Sequence, residues 1–88
     1  MDKKVIFFSL KGCAMCEQLK PIFEKVAGEL QMSYELYVLP DAPRDIKKLV
    51  YTYNIDIFPT ILSIKGDSVE KLQGVKPESV LKEFLQKQ

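Results

Sequence analysis

The chain has 88 residues, of which 47% are hydrophobic and 28% are charged. This length fits one domain, and the composition is that of a globular protein rather than of a disordered chain. The 13 basic and 12 acidic side chains leave a net charge of +1, so there is no excess of positive charge for binding a nucleic acid. We therefore predict one domain over residues 1–88 that binds no nucleic acid.

The N-terminal segment contains no signal for a membrane. Lys3 and Lys4 precede an apolar stretch over residues 5–8, which is too short for a signal peptide and for a transmembrane helix. We therefore expect a cytoplasmic protein that does not bind membranes.

Histidine is absent from the chain, and two cysteines are present. Without histidine, Ser-His and Cys-His nucleophilic catalysis and histidine metal ligands are excluded. The chemistry that remains is that of the two thiols.

The hydrophobic pattern predicts seven elements in the order β-α-β-α-β-β-α. The predicted strands cover residues 5–10, 33–39, 60–64 and 68–73, and the predicted helices cover residues 16–30, 46–53 and 77–86. The first strand is an unbroken apolar run, which is typical of a strand covered on both faces. A strand-helix-strand unit followed by a hairpin predicts a mixed sheet with helices packed over it.

Helix ends and buried faces are also predicted from the pattern. Pro21 lies inside the first helix, where a proline bends or weakens a turn. Asp45 is the expected N-cap of the second helix, and Asn54 is its expected stop. The last helix is expected to bury Val80, Leu81, Phe84 and Leu85. The tyrosines are expected to pack and to form hydrogen bonds, and they are Tyr34, Tyr37, Tyr51 and Tyr53.

Cys13 and Cys16 form a C-x-x-C motif where the first strand passes into the first helix. The N-terminal end of a helix has free N–H groups and partial positive charge, which stabilise a thiolate and lower the pKa of Cys13. Lys11 is expected to lower this pKa further, and Glu17 to raise it. Cys13 can then attack a substrate disulfide, and Cys16 can resolve the mixed disulfide.

Two other readings of the motif remain open. Two thiolates are half of the ligands that tetrahedral zinc requires, whereas copper(I) can be held by two thiolates beside the soft thioether of Met15. A carrier of copper or zinc is therefore an alternative, although we assign no metal ligand. An interaction domain with inert, buried thiols is the other alternative.

Three features of the chain resemble the thioredoxin family. Residues 13–23 resemble its C-x-x-C helix, including Pro21 five positions after the second cysteine, and residues 57–60 resemble its Pro-Thr segment. Residues 72–75 and 81–85 resemble its last strand and terminal helix. The resemblance implies an α/β minimal thioredoxin fold. Its four-stranded mixed sheet has the order 2-1-3-4, with strand 3 antiparallel to strand 1. Three helices flank the sheet, the first and third on one face and the second on the other.

The resemblance also implies roles for individual residues. Cys13 is similar to the attacking thiol of the family, and Cys16 to the resolving thiol. Pro59 corresponds to the family's cis-proline. The substrate-binding residues implied are Phe58, Pro59, Thr60 and Gly74. The Phe58 backbone would pair with an extended substrate segment, and Gly74 would let the substrate approach on the other side.

The chain departs from the family pattern in several places. Phe7 stands where thioredoxins have a buried acid, so proton transfer at Cys16 must use water or another group. We expect no counterpart of the family's extra N-terminal strand and helix, and therefore the dimensions of a glutaredoxin. However, Leu10 replaces the glutaredoxin lysine, and the single Gly74 stands where glutaredoxins have Gly-Gly.

The function implied is that of a monomeric dithiol-disulfide oxidoreductase that reduces protein disulfides. Its redox-active disulfide joins Cys13 and Cys16, and no other cofactor is expected. The expected electron donor is an unidentified reductase or glutathione. A glutaredoxin-like reductant linked to glutathione is an alternative to a thioredoxin-like one.

Overall fold

The computed structural model describes residues 3–87, and its elements follow the predicted order β-α-β-α-β-β-α. The strands are β1 (Lys3–Leu10), β2 (Glu35–Leu39), β3 (Thr60–Lys65) and β4 (Ser68–Gln73). The helices are α1 (Ala14–Glu29), α2 (Arg44–Thr52) and α3 (Glu78–Gln86). Met1, Asp2 and Gln88, which the predicted domain includes, lie outside the described residues. Over residues 3–87, no helix has the length and apolar character needed to cross a membrane.

The described strands form one mixed sheet in the order β2-β1-β3-β4. β1 pairs in parallel with β2 and antiparallel with β3, and β3 and β4 form an antiparallel hairpin. The predicted sheet is therefore confirmed. Its central strand is buried on both faces, because Val5, Ile6, Phe7 and Phe8 are each at most 1% exposed. This burial explains why the apolar run in β1 does not alternate with polar residues.

The two faces of the sheet carry separate cores. Val5 and Phe7 face α1 and α3, where Phe23 and Leu81 pack against them. The intervening side chains of β1 point to the other face and contact α2 through Ile46. Successive side chains of a strand point to opposite faces, so β1 joins both cores. The predicted placement of the first and third helices opposite the second is confirmed.

Strand and helix ends differ from the prediction by up to two residues. β1 begins at Lys3 because Lys3 and Lys4 pair with Lys65 and Ile64 of β3. α1 begins at Ala14, since the residue before it is the N-cap, and it continues without a break through Pro21. The Leu39–Pro40 peptide bond is cis, and this bond was not predicted from the sequence.

The predicted N-cap of α2 is wrong. Pro43 is the N-cap, and Asp45 lies in the first turn. The Pro43 carbonyl accepts hydrogen bonds from the N–H groups of Ile46 (3.1 Å) and Lys47 (3.0 Å). Proline suits a helix start because its φ is fixed and no N–H is left without a partner. The predicted stop is confirmed, since Asn54 follows the C-cap with a φ of 53°, a conformation that ends helices.

Two side chains that were expected to pack are exposed. Val80 is 39% exposed, because the buried stripe of α3 is formed by Leu81 and Leu85 and Val80 lies beside it. Tyr51 is 82% exposed. It lies five residues after the buried Ile46, which places it about 140° around α2 from that residue. The predicted packing of Tyr34 is confirmed, since its ring lies edge-on to Phe23 with centroids 5.0 Å apart.

The edge of the sheet contains a polar cluster centred on Glu35 of β2. Its carboxylate accepts a hydrogen bond from the Tyr37 hydroxyl and forms an ion pair with Lys4 at 3.4 Å. The Tyr37 hydrogen bond, assisted by Lys4, lowers the pKa of Glu35 against an opposing effect of burial. The ionised carboxylate therefore stabilises the fold.

We expect Glu35→Gln to lower the free energy of unfolding by about 0.5 kcal/mol at neutral pH, since the side chain is partly exposed and solvent screens the pair. A lowered carboxyl pKa stabilises the fold fully above the unfolded-state pKa, and this contribution is lost as pH falls through the folded-state pKa. Urea unfolding of both proteins at neutral and acidic pH checks the prediction. A difference that persists below the folded-state pKa would contradict it.

Candidate active site

The two cysteines lie at the start of α1. Gly12 has a φ of +80°, a left-handed conformation that glycine adopts without strain, and it connects β1 to the helix. Cys13 is the N-cap, and its sulfur accepts a hydrogen bond from the Cys16 N–H at 3.1 Å. The helix N-terminus therefore directs an N–H group at the Cys13 sulfur.

Cys13 and Cys16 are joined by a disulfide, and their Cα atoms are 5.3 Å apart. Cys13 is partly exposed, whereas Cys16 is only 3% exposed. The Cys13 residue is therefore the more accessible of the two. The predicted roles of Cys13 as the attacking thiol and Cys16 as the resolving thiol are consistent with this difference and remain predictions.

The segment before β3 lies against the cysteines. The Phe58–Pro59 peptide bond is cis, as the family resemblance implies. The Phe58 carbonyl oxygen is 4.0 Å from the Cys13 sulfur. Within residues 3–87, neither the N–H nor the C=O of Phe58 forms a backbone–backbone hydrogen bond. Thr60 is buried, and its hydroxyl donates to the Ile57 carbonyl within the segment.

Gly74 lies directly beside this segment, because its N–H donates to the Pro59 carbonyl at 2.7 Å. Its φ of +83° favours glycine, and a Cβ added there would meet no atom within 4 Å. The space in front of Gly74 is therefore open. Cys13, Phe58, Pro59 and Gly74 thus lie together, whereas their binding of a substrate remains a prediction.

Apolar side chains next to these residues are exposed to solvent. They are Met15 (56%), Ile57 (50%) and Val75 (43%). Each is adjacent in sequence to a residue of the site, and none was singled out for substrate binding by the sequence analysis. Their proximity to the motifs is the signal that could have identified them.

A second opening lies on the β2 side of the disulfide. This cleft has a volume of about 290 Å³. It is lined by Phe7, Ser9, Leu10, Lys11, Gly12, Cys13, Cys16, Glu17, Lys20 and Val38. Lys11 and Glu17 are therefore near the cysteines as expected, and their effect on the thiol pKa remains a prediction. Lys20 was missed by the sequence analysis, although its position four residues after Cys16 places it one helical turn away.

No cluster of three or more histidine, cysteine, aspartate or glutamate side chains that could hold a metal is found over residues 3–87. A larger cavity of about 640 Å³ lies at the other end of the sheet, between the C-terminal ends of α1 and α3. No predicted site residue lines it. The chemistry-bearing residues are therefore those around the disulfide.

Comparison with known proteins agrees with this arrangement. The family model "Thioredoxin" matches residues 1–87. The mitochondrial thioredoxin of Mus musculus is 34% identical over 84 residues, which cover 94% of this chain and 49% of that protein. A disulfide bond formation protein of Brevibacillus choshinensis is 31% identical over 88 residues, covering 98% of this chain and 73% of that protein. The chain thus spans about half the length of the mitochondrial relative.

A solved structure shows the same fold. The X-ray structure of Fasciola hepatica thioredoxin superposes with a TM-score of 0.78 at 22% identity, covering 98% of this chain and 80% of that one. At this level of identity the superposition shows the fold alone, whereas the family follows from the match over residues 1–87. The chain belongs to the thioredoxin family.

Proposed function

We propose that the chain is a thiol-disulfide oxidoreductase that reduces protein disulfides. The observation that carries the proposal is the disulfide between the accessible Cys13 and the buried Cys16 at the start of α1. A disulfide in this position has one sulfur that a substrate can reach and a second that is held within bonding distance of the first.

The reaction takes place in two exchange steps. The Cys13 thiolate attacks a substrate disulfide, one substrate sulfur leaves as a thiolate, and Cys13 is left in a mixed disulfide. The Cys16 thiolate then attacks the Cys13 sulfur, and the second substrate sulfur leaves with the electron pair. The substrate has gained two electrons, and Cys13 and Cys16 are again joined by a disulfide.

The start of α1 favours the first step. The Cys16 N–H and the partial positive charge of the helix N-terminus stabilise a thiolate at Cys13, which lowers the pKa of this thiol. Lys11 adds positive charge nearby, and Glu17 opposes it. In the reduced protein the Cys13 thiol can also donate to the Phe58 carbonyl, which competes with ionisation.

The substrate is held by the segment beside Cys13. An extended substrate peptide pairs with the N–H and C=O of Phe58, which form no backbone–backbone hydrogen bonds within the described chain. The open space at Gly74 accommodates the peptide on the other side. Met15, Ile57 and Val75 provide exposed apolar surface around it. This surface suits protein substrates whose disulfides are flanked by apolar residues.

The direction of electron flow and the donor belong to the proposal. We expect a monomer in the cytoplasm, where thiols are kept reduced, and therefore the reducing direction. A reductase or glutathione supplies the electrons. One relative is named a disulfide bond formation protein. Electron flow in the opposite direction, from substrate thiols to the Cys13–Cys16 disulfide, is therefore the alternative that the experiment must distinguish.

The reduction potential of the Cys13–Cys16 pair tests the proposal. Titration in thiol buffers, followed by alkylation and mass measurement, gives the fraction oxidised at each potential. We expect a reduction potential close to that of thioredoxin, about −270 mV, or to those of glutaredoxins, about −200 to −230 mV. A value near about −120 mV would indicate an oxidant instead. If no intramolecular disulfide forms, the redox function is wrong and binding of copper or zinc becomes the next hypothesis.

A further inference from the structure

The second exchange step requires a proton to leave Cys16. The thiolate is the nucleophile in disulfide exchange, so the Cys16 thiol must ionise before it can attack Cys13. Cys16 is 3% exposed, and burial in apolar surroundings favours the neutral thiol. The nearby Phe7 of the central strand is buried and has no acid–base group. The proton therefore needs another acceptor.

The cleft on the β2 side of the disulfide offers a route for this proton. Its volume of about 290 Å³ admits several water molecules, each of which takes up about 30 Å³ in the liquid. Besides the cysteines, its titratable side chains are Lys11, Glu17 and Lys20. The strands β1 and β2 contribute Phe7, Ser9, Leu10 and Val38, none of which titrates. The carboxylate among these lining residues is that of Glu17.

Glu17 is placed to act through this water. It follows Cys16 in the first turn of α1 and lies four residues after Cys13, so it shares a helix face with the attacking cysteine. Helical side chains also tilt toward the N-terminus, which directs Glu17 toward the disulfide. In the described part of the chain its carboxylate forms no hydrogen bond or ion pair. Its oxygens are therefore available to accept a proton.

We propose that Glu17 accepts the proton of Cys16 through water in the cleft, an inference that rests on the proposed function. The proton passes from the Cys16 sulfur to water and from water to the Glu17 carboxylate. The resulting Cys16 thiolate forms a bond to the Cys13 sulfur, and the bond between Cys13 and the substrate breaks. The substrate thiolate leaves with the electron pair and takes up a proton from the solvent, and the protonated Glu17 returns its proton to the solvent. Over both exchange steps the two cysteines together lose two electrons, which the substrate gains.

This role and a simple effect of charge have opposite consequences. A negative charge beside a thiol raises its pKa, so removal of the Glu17 charge alone would ionise Cys16 more readily and speed the second step. If Glu17 accepts the proton, its removal slows the second step instead. The sign of the change therefore distinguishes the two roles.

The test uses single-turnover kinetics of the reduced full chain with a disulfide-linked peptide. Quenched samples report the mixed disulfide at Cys13 and the later release of the second peptide thiol as separate steps. Both are measured between about pH 6 and pH 9, on either side of the free-thiol pKa of about 8.5. The variants are Glu17→Gln, the conservative Glu17→Asp, and Glu29→Gln, which removes one charge from the far end of the same helix.

We expect Glu17→Gln to slow release of the second thiol about tenfold at the acidic end. This loss is smaller than the factor of about 10² to 10⁴ that general acid–base catalysis typically contributes. The reason is that solvent water reaches the open cleft and can accept the proton in place of Glu17. The loss should shrink as pH rises, because hydroxide then takes the proton. Glu17→Asp should release the second thiol at most of the wild-type rate, and Glu29→Gln should release it at the full wild-type rate. Unchanged or faster release in Glu17→Gln would overturn the inference. Failure of the reduced wild type to release either peptide thiol would overturn the proposed function and this inference with it.

Discussion

Cys13→Ser is expected to abolish disulfide reduction, with a loss of at least about 10³-fold, because removal of the nucleophile removes the first exchange step. Cys16 cannot replace it, since Cys16 is 3% exposed and a protein disulfide cannot reach its sulfur. The measurement is the rate of reduction of a disulfide-bonded protein by the reduced chain. Substantial activity in Cys13→Ser would contradict the assigned roles.

Cys16→Ser is expected to fail at a different point. Its Cys13 thiolate still attacks the substrate, but the mixed disulfide has no resolving thiol and accumulates. Mass measurement under non-reducing conditions should show one substrate molecule bound to each chain, and dithiothreitol should release it. Because both variants lack the disulfide, their folding is compared with that of the reduced wild type. Absence of the trapped adduct would exclude Cys16 as the resolving thiol.

The features of the fold that depend on hydrophobic pattern were predictable from the sequence. The apolar run in β1 indicated a central strand, and the short connection between the predicted strands 60–64 and 68–73 indicated the hairpin of β3 and β4, both of which are present. Features set by tertiary contacts were missed. Val80 and Tyr51 are apolar or aromatic residues that lie beside the buried stripes of their helices, and the sheet surface decides which side is covered.

Some residues of the candidate active site were predictable from local sequence spacing, and others were not. The spacing of Cys13 and Cys16 predicted a redox pair at a helix start and left a metal carrier and an inert pair of thiols as alternatives. This part of the site was predictable because both cysteines lie within four consecutive residues. Phe58 and Gly74 are distant from the cysteines in sequence and were identified through the family resemblance. The cleft that contains Lys20 depends on side chains from β1, β2 and α1 together, and sequence spacing alone does not show that they meet.

Phe23→Ala is expected to destabilise the fold by about 3–5 kcal/mol, through lost burial and the cavity that remains. Phe23 is fully buried, and its ring lies 5.0 Å from that of Phe7 and 5.0 Å from that of Tyr34. Such a loss is a large part of the total free energy of unfolding, which is roughly 4–13 kcal/mol for a chain of this size. Urea unfolding of the oxidised proteins measures it.

Tyr51→Ala is the matched control, because it also truncates an aromatic residue inside a helix but at a position that is 82% exposed. We expect it to change the free energy of unfolding by no more than about 0.5 kcal/mol. Similar losses in the two variants would show that Phe23 does not anchor α1. Phe23 lies two turns after Cys16 on the buried face of α1. Loss of its packing against Phe7 and Tyr34 should therefore also weaken the attachment of α1, which begins at the two cysteines, to the sheet. The disulfide-reducing activity of Phe23→Ala should then fall at lower urea concentrations than that of wild type.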